Sequence, residues 1–116
     1  VTLNVELEWP NGKPKVKDRP RFGGGRVYTP AATAKVEKAL ADQWETQGLP
    51  KFDGPIKVTL HFTNTHIFIE VDDCDDYENR SLRGDVDNYR KNVNDALNGV
   101  AWVDDKQIVC QVAEKI

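Results

Sequence analysis

"TPAATAKVEKALADQWETQGLPKFDGPIKVTLHFTNTHIFIEV", residues 29 to 71, decides the fold class. Its first half repeats apolar residues with helical spacing and its second half alternates them, so a helix runs into strands. Thr29 can cap the helix, Pro30 suits the first helical position, and Gly48 suits a left-handed terminus. Ala32, Val36, Ala39, Leu40 and Trp44 form the stripe that must be buried. In "PIKVTLHFT", 55 to 63, Ile56, Val58, Leu60 and Phe62 alternate with polar residues and are expected to face inward. "HIFIEV", 66 to 71, reads better as a second strand after a turn at Asn64-Thr65 than as a continuation of the first.

Working outward, "VTLNVELEW" at 1 to 9 alternates Val1, Leu3, Val5, Leu7 and Trp9 against polar residues, which predicts a half-buried strand ended by "PNG". Downstream, Asp87 is expected to cap a second helix that runs to about Asn98 and closes at Gly99. A last strand is expected near 107 to 115. The order is β-α-β(β)-α-β: an α+β fold with a small mixed sheet and two main helices, in a single domain over 1 to 116.

Composition fits that class: 39% of residues are hydrophobic and 30% charged, ordinary values for a globular protein. No run approaches the ~20 apolar residues that cross a bilayer. Cys74 and Cys110 match no zinc or redox spacing and make a weak case for a disulfide, so a reduced, cytoplasmic protein is the default. Cys110 alternates with Ile108 and Val112 and is expected in the core. The net charge of −3 argues against a generic nucleic-acid binder. Charge is uneven, however. "KPKVKDRPRFGGGR", 13 to 26, carries six basic residues, Lys13, Lys15, Lys17, Arg19, Arg21 and Arg26, against Asp18 alone. It has no period and reads as a long loop, a length that is usually functional or mobile. "DDCDDYE", 72 to 78, carries five acidic residues and reads as a solvated loop.

The chemistry concentrates in "RGDVDNYRKNVNDALNGVAWVDDKQIV", 83 to 109. On a helix turning 100° per residue, Tyr89, Val93, Ala96 and Leu97 share a core face and Lys91 points away from it. Asp87 and Asp95 lie one turn to either side of Lys91. If 85 to 87 is extended, Asp85 projects on the same side as Asp87. The link "VAWV" can return Asp104 or Asp105 beside the helix start. Three converging carboxylates take up protons or bind a cation. Mg²⁺ prefers such oxygen ligands, activates water and offsets charge on a phosphate, and a lysine within reach neutralises the same charge. A plainer reading stands beside this one: Asp87 a cap, Asp95 and Lys91 a surface pair, Asp104-Asp105 a turn. Other chemistries are poorly supported. A calcium loop counted from Asp85 would have Arg90 where glycine belongs and Ala96 where glutamate belongs, and "FGGGR" lacks the P-loop pattern. His61 falls on a polar strand face and His66 in a turn, each more often surface than catalytic.

These residues resemble the RusA family of Holliday junction resolvases. That signature runs D-x-D-N, a lysine four residues after the second aspartate, then D-A-L and D-D ahead of a strand. "KDRPRF" followed by "GRVYTP" resembles the basic loop and helix entry of the phage and Gram-positive branch of the family. The resemblance implies a homodimeric, Mg²⁺-dependent endonuclease, with Mn²⁺ able to substitute, that cuts four-way DNA junctions symmetrically in recombination and repair. By position it makes Asp85, Asp87 and Asp105 the metal-binding aspartates and Lys91 the catalytic lysine, with Asn88, Asp95 and Asp104 in support. The six basic residues of the loop would then hold phosphates without reading sequence. A non-cleaving DNA-binding protein of the same fold is the alternative.

Overall fold

The computed structural model describes residues 2–17, 21–23, 26–28, 30–74 and 82–115, with the side chains of 21–23 and 26–28 excepted. The chain divides into two compact units, Val1–Asp75 and Asp76–Ile116. The first holds β1 (Thr2–Glu8), the short pair β2 (Arg21–Gly23) and β3 (Arg26–Tyr28), α1 (Ala31–Thr46), β4 (Ile56–Phe62) and β5 (His66–Asp73). The second holds α2 (Val86–Leu97) and a 3-10 turn at Asp105–Gln107. The α+β class and its two helices are as expected.

The main sheet has the order β1-β5-β4 and is antiparallel throughout rather than mixed. The reason is topological. β1 and β4 run the same way, separated in sequence by α1, but β5 folds back between them and pairs with both. Thr63 makes that reversal: its hydroxyl accepts the backbone N–H of Thr65 at 3.2 Å and of His66 at 2.9 Å. His66 therefore opens β5 rather than sitting in the turn. Register puts Leu3, Val5 and Leu7 opposite Val71, Ile69 and Ile67, so the apolar positions share one face.

Helix α1 covers the β1–β5 part of that face. Val5, Leu7 and Ile67 are buried, and Leu40 and Trp44 of the helix pack against them. Each such burial is worth about 1.5–3 kcal/mol. Gln43 then ties the helix to the outer edge of β1. Its carboxamide accepts from Glu8 N and donates to Glu8 O, both at 2.8 Å, as a neighbouring strand would. Gln47 donates to Glu6 O at 3.2 Å, so an edge that would otherwise invite pairing is blocked.

Several expectations need correction. The 13 to 26 segment is not all loop, because β2 lies in it and pairs with β3, which begins at Arg26; three-residue strands are too short to show a period. Pro30 occupies the cap position of α1 rather than the first helical one, its carbonyl accepting Ala34 N–H at 3.1 Å. The proposed cap Thr29 lies outside the described residues. Ala32 is exposed while its neighbour Thr33 is buried. Gly48 does take the left-handed conformation, with φ of 66°.

On β4 the alternation is present but not the burial: Val58 is 48% exposed and Phe62 62%. α1 spans β1 and β5, and β4 lies at the far edge. Asp72 and Asp73 belong to β5, with Asp72 accepting from the Thr2 hydroxyl, so the acidic run begins in a strand. Cys74 is buried, Cys110 is exposed rather than in the core, and both are free. Among the described residues no strand forms at 107 to 115; the alternation of Ile108, Cys110 and Val112 finds no partner strand. No helix among them is long and apolar enough to cross a membrane.

Candidate active site

The carboxylates of the second unit are organised by the start of α2. The helix begins two residues before the position read from sequence, with Asp85 at the cap and Asp87 inside the first turn. Both are residue types that favour this end of a helix, which is why sequence alone misplaces the boundary. Asp85 caps through its backbone only: its carbonyl accepts Asn88 N–H at 3.0 Å and Tyr89 N–H at 3.2 Å. Among the described residues its carboxylate has no hydrogen-bond or ion-pair partner. The preceding Gly84 is held from two sides. Its N–H donates to the Tyr89 hydroxyl at 3.2 Å, and its carbonyl accepts from Lys115 Nζ at 3.2 Å.

Asp87 is held by cations on both oxygens. Arg90 Nη2 binds Oδ1, and Lys91 Nζ lies 3.1 Å from Oδ2. The hydrogen bond from Arg90, then that from Lys91, holds the Asp87 carboxyl below its ordinary range. Lys91 thus meets Asp87 as expected, while Asp95 makes no ion pair among the described residues. Asn88 and Asp95 are exposed.

The link to the second carboxylate pair is a tight turn. Gly99, with φ of 80°, donates to Trp102 O at 2.7 Å, and Ala101 N–H returns to Leu97 O at 2.8 Å. Asp104 closes a capping box: its side chain accepts Lys106 N–H at 2.9 Å, and Gln107 Oε1 accepts Asp104 N–H at 3.1 Å. Asp105 Oδ1 accepts the Trp102 indole N–H at 2.6 Å.

Among the described residues no three histidine, cysteine or acidic side chains are gathered to hold a metal. The donor chemistry nonetheless suits a hard cation. Mg²⁺ is commonly bound through one or two carboxylates with waters completing its shell, whereas Ca²⁺ takes six to eight oxygens. Asp85 is exposed and has no partner among the described residues, and Asp87 is exposed with its carboxyl held below the ordinary range.

The expected core face of α2 is open: Tyr89 is 44% exposed and Val93 55%. The buried residue is Asn94, whose carboxamide is satisfied by Gln111. Arg90, Asn94 and Gln111 escaped the sequence reading. Arg90 carries a signal, standing three residues after Asp87. Gln111 carries none, because it lies on an irregular segment far along the chain.

Of the basic residues in the first unit, Lys13 and Lys17 are exposed, Lys15 half-buried, and Lys17 pairs with Glu37 at 3.2 Å. Arg21 and Arg26 lie in β2 and β3, where Arg26 pairs in register with Gly23, and their side chains are not described. Arg19 lies outside the described residues.

A family model described as Endodeoxyribonuclease RusA matches residues 11–116. No curated protein and no solved structure matches the chain. The match takes in the basic segment, both helices and every carboxylate of the site, and on that coverage the chain belongs to the RusA family of endodeoxyribonucleases.

Proposed function

We propose that this chain is a Mg²⁺-dependent endonuclease that resolves four-way DNA junctions as a homodimer, by symmetric phosphodiester hydrolysis in recombination and repair. The carrying observation is that the family match embraces a helix with Asp85 at its cap, Asp87 in its first turn and Lys91 one turn on, 3.1 Å from Asp87. Hydrolysis forms a P–O bond to water and breaks one to a sugar oxygen, so negative charge grows on the phosphate and on the leaving oxygen. Asp85 and Asp87, joined by Asp105, would hold Mg²⁺ through oxygen ligands of the class it takes; among the described residues the three are not gathered. When bound, that ion activates water and stabilises phosphate charge. Lys91 contributes a positive charge beside Asp87 that can meet the same developing charge. Lys13, Lys15, Lys17, Arg19, Arg21 and Arg26 supply phosphate contacts that position DNA without reading bases.

The dimer follows from the substrate. A four-way junction has approximate two-fold symmetry, and two matched cuts need two equivalent sites, which a C2 dimer supplies from one chain.

A second reading, DNA binding without turnover, draws on one observation: Asp87 and Asp105 are already engaged by Arg90, Lys91 and Trp102. A synthetic junction labelled on opposing strands separates the two. Paired nicks in Mg²⁺ that vanish in chelator support hydrolysis. Binding with no nicks in Mg²⁺ or Mn²⁺ supports the second reading.

A further inference from the structure

We propose that Gln111 is a positioning residue for Asp87, acting through Arg90, so that the segment after the Asp104-Asp105 turn sets the geometry of the carboxylate helix. This rests on the reading of Asp87 as a metal ligand.

Gln111 makes three hydrogen bonds at once. Its Oε1 accepts from Arg90 Nη1 and from Asn94 Nδ2, each at 3.0 Å, and its Nε2 donates to Asn94 Oδ1 at 2.7 Å. Asn94 is only 7% exposed, so its amide needs a partner inside the fold, and that requirement fixes where the Gln111 carboxamide sits. Arg90 carries the constraint onward. A guanidinium is planar and rigid, so a bond at Nη1 fixes the direction of Nη2. Nη2 donates to Asp87 Oδ1.

Lys91, the other partner of Asp87, cannot do this alone, because an ammonium on a four-carbon stem holds no fixed direction. The same segment makes a second and separate contact, Lys115 Nζ to the carbonyl of Gly84, the residue before Asp85. Residues 111–115 therefore reach Asp87 through Arg90 and the backbone just before Asp85 through Gly84. Ligating carboxylates depend on such outer hydrogen bonds, whose loss typically costs 10- to 100-fold in metal affinity or activity.

The test is Mn²⁺ binding to the full chain without DNA, by electron paramagnetic resonance, beside cleavage kinetics. Gln111→Ala should weaken Mn²⁺ binding by about 10-fold or more. It should lower kcat with little change in KM, and leave junction binding in chelator unchanged. Gln111→Glu keeps an oxygen for Arg90 but loses the donor to Asn94 Oδ1, and should recover only part of the loss. Arg90→Lys leaves the Asn94–Gln111 pair intact but removes the rigid fork, and should also weaken Mn²⁺ binding; it serves if Gln111→Ala folds poorly. Wild-type Mn²⁺ affinity in Gln111→Ala, or in Arg90→Lys, would overturn the positioning role alone. If the wild-type chain binds no Mn²⁺ while folded, the metal reading itself falls, and the inference with it.

Discussion

A Cβ placed on Gly84 would stand 2.8 Å from the Tyr89 hydroxyl oxygen, closer than carbon and oxygen approach without bonding. The same hydroxyl accepts the Gly84 N–H at 3.2 Å, so the absence of a side chain is what lets the ring close over the entrance to α2. This contact fixes the backbone immediately before Asp85.

Gly84→Ala should therefore push the ring aside rather than break the helix, since the clashing atoms are the far end of a half-exposed side chain. The expected cost is that of one hydrogen bond, about 0.5–1.5 kcal/mol by urea denaturation. Tyr89→Phe should cost a similar amount. The double variant should cost clearly less than the sum, because both changes remove one interaction. Additive losses would show that the two residues do not act on each other.

Asp87 gives a pH prediction whose sign is fixed by its partners. Its carboxyl is held below the ordinary range, mainly by Arg90 and then by Lys91. A group lowered in the folded state stabilises above its unfolded value, and that contribution is lost as pH falls through the folded value. Carboxyl NMR titration should show Asp87 titrating below an ordinary aspartate. Arg90→Ala should raise its midpoint more than Lys91→Ala does. The reverse order would mean that Lys91 dominates and that Arg90 has little hold on the carboxylate.

The basic segment should supply affinity rather than chemistry. Arg19→Ala with Arg21→Ala should weaken junction binding and flatten the plot of log K against log salt, by about 0.9 for each phosphate no longer neutralised. The cleavage rate of bound junction should hardly change. An unchanged slope would mean that these arginines do not touch DNA.

How much of this was legible depended on where each interaction's partner lay. β1 and β5 could be read because their alternation reports burial against a helix that the sequence also announces. β4 alternates just as well, but Ile56, Val58, Leu60 and Phe62 stay exposed, because period tells which residues share a face and not what covers it. The 107 to 115 segment alternates too, yet a strand requires a neighbour with free backbone groups. In the site, the Asp87–Lys91 pair follows from helix spacing, and Arg90 competes from the equivalent position one residue earlier. Asp104 as a capping residue was also open to reading, through Gln107 three residues on. The Gln111 contacts were not, since nothing local records a bond across an irregular chain segment.

Whether the carboxylates at the start of α2 serve hydrolysis, and not merely the helix terminus, is decided by Asp85→Asn. Asp85 caps through its backbone, and its side chain has no partner among the described residues for the change to break. The measurement pairs cleavage of a four-way junction in Mg²⁺ with binding of the same junction in chelator. Asn keeps the shape and removes a charge that opposes phosphate, a repulsion of about 1 kcal/mol at roughly 4 Å even in water. Asp85→Asn should show no measurable nicking, with junction binding in chelator equal to or tighter than wild type. Nicking by Asp85→Asn at the wild-type rate would contradict a hydrolytic role for these carboxylates.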